Sequence, residues 1–182
     1  MKYFFIAGER SGDLHASNLI RALKEKDSSA EIVAWGGEQM EEAGARIVQH
    51  YSILSFMGFV EAITHLPQVL SCFSLVKKLI ADEKPDLVVF IDYAGFNLRI
   101  AKWVKENGYQ THYYISPKIW AWNQSRVHKI DKLIDQMYCI LPFEKAFYAK
   151  YNYNVDYVGN PVLDSIRNFI PNPDFLAKNK LV

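Results

Sequence analysis

Asp92 closes an uninterrupted apolar run, Leu87-Val88-Val89-Phe90-Ile91, whose start is marked by Pro85 and Asp86. A run with no polar alternation predicts a strand covered on both faces, the usual setting in a parallel sheet. Ligands of such sheets bind beyond the carboxyl ends of the strands, so a carboxylate placed there faces the ligand side rather than the core. An aspartate there could equally cap the next helix, and position alone leaves both readings open. A second group lies at Gly8-Glu9-Arg10-Ser11-Gly12-Asp13. Its turn and helix start would offer backbone amides to phosphate or sugar oxygens. It is neither GxGxxG nor a Walker loop, and turn chemistry with Ser11 or Asp13 as an N-cap is the simpler account before context is added.

The third group runs from Ser116 to Arg126, with Trp120 and Trp122 two apart and Gln124 beyond them. Tryptophans on a loop at a sheet's carboxyl edge can line a pocket or cover the core beneath, and at least one of this pair is expected to do the latter. Pro142 and Glu144 form the fourth group, a helix opening with an acid in its first turn. Between the second and third groups, Phe56, Met57, Phe59, Val60 and Ile63 are too many large apolar side chains for an ordinary connection. They are either core or a greasy surface.

The elements that must carry these groups alternate. Tyr3–Ala7 reads as a strand, followed by a helix with Ala16, Leu19, Ile20 and Leu23 on one face. Glu31–Trp35 and Arg46–Val48 read as strands around a short helix at Met40–Ala43 that Gly44 ends. Beyond Pro67, the residues Val69, Leu70, Phe73, Val76 and Ile80 follow the helical period, opposite Lys77 and Lys78. After Asp92 a loop reaches to Asn97, with a helix from about Leu98 to Asn107. Thr111–Ile115 is the next strand, Gln124–Ile134 a helix, and Gln136–Leu141 and Val155–Val158 the last strands. Strand–helix alternation predicts a doubly wound α/β domain with a mainly parallel sheet. That domain is placed at residues 1–167, with a linker at 168–182 where Pro171 and Pro173 interrupt any period. The polar groups after four strands then share one edge.

Composition excludes several classes. The chain has 182 residues, half of them apolar, enough for one sizeable core. Its 21 basic and 20 acidic side chains give a net charge of +1, so no bulk field draws it to nucleic acid. Cys72 and Cys139 lack CxxC spacing and read as buried thiols in a reducing compartment. The histidines show no paired ligand spacing, and His112, inside a strand, reads as a core residue. No metal and no cofactor are expected. The apolar part of the N-terminus is too short for a signal peptide and no run approaches a membrane span, so a cytoplasmic protein is expected.

The strings GERSGD, MGFVEAI, VVFIDYAGFN, YYISPKIWAWNQSRVHKI, ILPFEKAFY and VGNP, in this order, closely resemble the bacterial lipid-A-disaccharide synthases. The similarity spans nearly all of Met1 to Asp164. The resemblance implies the N-terminal, acceptor-side half of a two-domain GT-B glycosyltransferase, with a Rossmann-like fold. It implies transfer of a diacylglucosamine from UDP-2,3-diacylglucosamine to 2,3-diacylglucosamine 1-phosphate, giving a β(1→6) disaccharide 1-phosphate and UDP. Asp92 matches the family's general base. Glu9, Ser11, Gly12 and Asp13, with Asn97, Ser116, Trp122, Gln124 and Arg126, match positions around the substrate. Phe56, Met57, Phe59, Val60 and Ile63 match a segment that meets acyl chains and the inner-membrane surface, implying a cytoplasmic enzyme held peripherally there. Oligomeric state stays open, with a homodimer of the full-length form as one expectation. Two departures stand out: Arg10 replaces a small residue, and Tyr93-Ala94-Gly95 replace an Ala-Pro-Asp, removing the loop's second carboxylate. A half-site is expected to be inactive alone. The competing reading is a non-catalytic Rossmann-like module that binds nucleotide or lipid.

Overall fold

Seven strands form one parallel sheet: β1 (Lys2–Ala7), β2 (Glu31–Gly36), β3 (Arg46–His50), β4 (Leu87–Ile91), β5 (Gln110–Tyr114), β6 (Gln136–Cys139) and β7 (Asp156–Tyr157). The computed structural model describes residues 1–55, 66–167, 170 and 172–179. Spatial order is β3-β2-β1-β4-β5-β6-β7. The chain therefore winds outward from β1 to β3, crosses back to pair β4 with the other side of β1, and winds outward again. That reversal leaves a crevice between the carboxyl ends of β1 and β4, the place where doubly wound sheets hold ligands.

The apolar strands pack on both faces. On one, Phe4, Ile6, Trp35, Val88, Phe90 and Tyr113 are buried against α4 (Leu66–Glu83) and α5 (Ala94–Glu106), through Val76, Ile80, Ile100 and Val104. On the other, Phe5, Ala7, Ala34, Val89 and Ile91 meet Ala16 and Ile20 of α1 (Arg10–Lys26). The Leu87–Ile91 run is buried throughout, as its lack of alternation predicts. Gly12 lets α1 approach closely: a Cβ there would sit 3.3 Å from the Ala7 Cβ and 3.6 Å from Ile91.

The sequence expectations need four corrections. The helix after β4 begins at Ala94, so the loop shrinks to Asp92 and Tyr93 and Asn97 lies in the first helical turn. The expected helix at Gln124–Ile134 is a 3-10 turn, Gln124–Arg126, followed by α6 (Val127–Leu133). Leu70, assigned to the buried stripe of α4, is 57% exposed. Beyond Asn160, α8 (Pro161–Arg167) forms where only a turn was expected.

The short helix after β2 is α2 (Glu38–Glu42), and α3 (Ser52–Ser55) and α7 (Pro142–Ala149) complete the elements around the carboxyl edge. The expected linker contains a single turn, α9 (Phe175–Lys178), and part of it lies outside the described residues. So do Phe56, Met57, Phe59, Val60 and Ile63. Cys72 and Cys139 are buried free thiols, whereas His112, expected in the core, is only half-buried, its Nδ1 3.2 Å from the Tyr138 hydroxyl. No helix among the described residues is long and apolar enough to cross a membrane.

Phe90 is fully buried in a central strand. Truncating it to alanine should cost about 3–5 kcal/mol, measured as a lowered urea midpoint with an unchanged slope; a loss below about 1 kcal/mol would show that the core is not closed around this ring.

Candidate active site

The backbone at Asp92 is unusual before its side chain is considered. Asp92 and Tyr93 both have positive φ, 42° and 46°, although neither is glycine. Such conformations cost on the order of 1–3 kcal/mol each and persist only where surroundings impose them. Here the surroundings are two buried donors. The Asn97 amide donates to the Ile91 carbonyl at 3.1 Å and to the Asp92 carbonyl at 2.8 Å, and the Tyr113 hydroxyl donates to the same Asp92 carbonyl. The Asp92 amide still pairs with the Tyr114 carbonyl at 3.0 Å, so the strand ladder ends at this residue. Tyr93 is fixed in turn: its hydroxyl donates to the Leu54 carbonyl at 3.2 Å, and its ring lies where a Cβ at Gly8 would be, 2.3 Å away. Ile115, at the end of β5, also has a positive φ of 68°, so this edge carries strain at two neighbouring strands.

The half-buried Asp92 carboxyl is raised above its ordinary value of 3.8, first by burial and then by the negative charge of Glu9. The Tyr93 amide, Lys118 and His15 oppose that rise. A carboxylate so placed is a better proton acceptor than a solvated one. The Ser11 hydroxyl donates to the Glu9 carboxylate, putting the two together at the mouth of the crevice. His15, one turn further along α1, has its basicity lowered by burial, and its Nδ1 is buried with no hydrogen-bond partner among the described residues. The sequence reading missed His15 and Lys118. The only signal for His15 was its spacing of three from Gly12, which puts both on one helix face.

Other expected site residues form the frame. Asp13 is 1% exposed, and its carboxylate accepts from the amides of Gly37 at 2.8 Å, Gln39 at 3.1 Å and Met40 at 3.2 Å, so it caps α2 rather than its own helix. Ser116 is buried and donates to Glu144 Oε1 at 2.6 Å, which Trp120 also reaches at 3.3 Å. The other oxygen of Glu144 accepts from the amides of Ile140 and Leu141 at 3.1 and 2.9 Å. This one buried carboxylate joins the loop after β5 to the start of α7. Of the tryptophan pair, Trp120 packs on the core and Trp122 is 66% exposed, with the Arg126 guanidinium stacked 4.6 Å from its ring centroid. Gln124 is held by the Trp120 carbonyl and the Tyr151 hydroxyl. No cluster among the described residues could hold a metal ion.

A seven-stranded parallel sheet with helices on both faces and a polar crevice at its switch point defines a Rossmann-like domain of the GT-B kind. Solved structures agree on the fold: the UDP-GlcNAc 2-epimerase of Methanocaldococcus jannaschii superposes with a TM-score of 0.71 at 18% identity, over 100% of this chain and 54% of that one. The putative UDP-N-acetylglucosamine 2-epimerase of Listeria monocytogenes gives 0.70 at 13%, over 98% and 50%. Sequence is more specific. The family model for lipid-A-disaccharide synthetase matches residues 3–181, and the chain belongs to that family. The lipid-A-disaccharide synthase of Trichlorobacter lovleyi is 40% identical over 91% of this chain and 43% of its own length. That of Geobacter metallireducens is 38% identical over 97% and 46%. The chain thus spans about half the length of the curated relatives it matches.

Two carboxylates should respond oppositely to removal. Because folding raises the Asp92 value, the folded state binds its proton more tightly. Its ionisation therefore costs stability as pH rises from 3.8 through the raised value. Asp92→Asn, which also tolerates the left-handed backbone, should be at least as stable as wild type at pH 7 and lose that advantage below pH 3.8. Asp13→Ala strands buried amides and should cost about 2–3 kcal/mol. Thermal melts across pH check both; a destabilised Asp92→Asn would contradict the electrostatic picture.

Proposed function

We propose that this protein is the acceptor-side part of an inverting glycosyltransferase that joins two acylated glucosamines during lipid A assembly. The donor is UDP-2,3-diacylglucosamine and the acceptor 2,3-diacylglucosamine 1-phosphate. Residues 1–167 form the acceptor-side domain, and the segment from 168 leads toward a donor-binding domain. The observation that carries this reading is a half-buried carboxylate of raised basicity at the switch point of a chain belonging to this family.

In the reaction, the Asp92 carboxylate takes the proton of the acceptor's 6-hydroxyl as that oxygen attacks the anomeric carbon. The bond from that carbon to the UDP oxygen breaks, UDP leaves with the electron pair, and the configuration inverts. Glu9 and Ser11 are placed to accept and donate hydrogen bonds to the sugar, and Glu9 also sustains the basicity of Asp92. His15, whose basicity burial lowers, adds a polar group beside the base. Gly12 and Asp13 set the start of α1 against β1 and α2, while Asn97 and Ser116 fix the two neighbouring turns. The apolar Phe56, Met57, Phe59, Val60 and Ile63 supply contacts for acyl chains and a peripheral attachment to the inner membrane.

Removing a general base lowers turnover by typically about 10²–10⁴-fold. Asp92→Asn should do so in an assay of disaccharide formation, with little change in acceptor KM. The acid limb of the wild-type kcat/KM profile should lie above pH 3.8. Near-normal turnover by Asp92→Asn would remove it from this role, and saturable nucleotide binding without turnover would favour a binding module instead.

A further inference from the structure

Beside Asp92 lies a feature that general-base chemistry does not use. A cavity of about 100 Å³ opens between the start of α5 and the turn into α6, lined by Ala94, Gly95, Leu98, Arg99, Arg126 and Lys129, with Ile130 beneath. Its three cations come from three elements, and no carboxylate among the described residues lines it. None of the three has a recorded ion pair among the described residues. Arg126 is oriented instead by Trp122, whose ring supports the planar guanidinium without neutralising it.

The helix end facing the cavity is open as well. The first turn of α5 holds no acidic residue, and Tyr93 gives no side-chain cap. The Phe96 and Asn97 amides return to the Tyr93 carbonyl at 3.3 and 3.1 Å, whereas those of Ala94 and Gly95 have no acceptor among the described residues. Gly95 itself has no structural cause. Its φ is ordinary for any residue and a Cβ there would meet nothing within 4 Å, yet glycine weakens a helix. It lies four residues before Arg99, on the same helix face.

The geometry points to a phosphate-monoester site formed by Arg99, Arg126 and Lys129 around the open amides of Ala94 and Gly95. A space of this size is large enough for one tetrahedral anion. Three positive side chains with additional N–H donors match the charge and oxygens of a phosphate monoester better than those of a carboxylate. Ala94 follows Asp92 by two residues, so their Cα atoms are at most about 7.6 Å apart. A sugar phosphate anchored in the cavity therefore keeps its ring within reach of the Asp92 carboxylate. This assignment rests on the acceptor-side reading above and specifies where the acceptor's anionic group sits.

Calorimetric titrations at fixed ionic strength test it, with inorganic phosphate, glucosamine 1-phosphate, and phosphatidylcholine vesicles carrying phosphatidic acid as the three probes. Saturable binding of phosphate is expected, with glucosamine 1-phosphate at least tenfold tighter. Arg99→Gln and Arg126→Gln should each weaken both at least tenfold without lowering the melting temperature. Binding unchanged in both variants, or no saturable binding, would overturn the site. Preference for phosphatidic acid vesicles over glucosamine 1-phosphate would overturn its assignment to the acceptor in favour of a lipid headgroup. The outcome is separable from that of the base: turnover surviving Asp92→Asn would remove the base role and leave these binding differences intact.

Discussion

Two buried donors on one carbonyl hold this site together. Asn97 and Tyr113 both donate to the Asp92 main-chain oxygen, from α5 and from β5. A strand that ends on left-handed, non-glycine residues would relax to an ordinary turn if its carbonyl were free. With that oxygen fixed from two directions, the chain enters α5 at once and the Asp92 side chain stays at the crevice. The cost of the conformation is met by hydrogen bonds in a water-poor environment, where leaving the same groups unpaired would be expensive. Position and burial of the carboxyl descend from this arrangement, and burial together with the Glu9 charge raises its basicity.

The same device recurs around the crevice. Asp13 ties the start of α1 to α2, and Glu144 ties the loop after β5 to α7, each through a buried carboxylate satisfied by several donors. Polar residues at the carboxyl edge therefore divide into two kinds. Asn97, Asp13, Ser116 and Glu144 are buried and spend their hydrogen bonds inside the protein. Glu9, Ser11, Asp92, Lys118 and Arg126 keep access to the crevice or its rim. A rigid inner layer holding an accessible outer layer is what precise placement of a reacting group requires.

Much of this was legible in the sequence. The Leu87–Ile91 run gave a buried strand because parallel strands covered on both faces lose alternation, and strand–helix alternation implied the doubly wound sheet. The convergence of four polar segments followed from that topology. Which polar residues face ligand was not legible, since a carboxylate that caps a neighbouring helix and one that faces a crevice look alike in sequence. The start of α5 was missed for a physical reason: its N-cap is Tyr93 in a left-handed conformation rather than a serine, threonine or aspartate, and Gly95 read as loop. His15 was hidden because a lone histidine on an amphipathic helix carries no pattern. Leu70 followed the helical period of α4 yet is exposed, since periodicity assigns a face without saying how far a partner extends along it.

The most direct test of the account is a structure of the protein with the glucosamine 1-phosphate acceptor bound. The distance to read is from the Asp92 carboxylate to the attacking hydroxyl. The account predicts about 2.6–3.2 Å, or one bridging water, with the carbonyl of Asp92 still held by Asn97 and Tyr113. An acceptor whose hydroxyl is engaged by another side chain, with Asp92 turned away from it, would contradict the account.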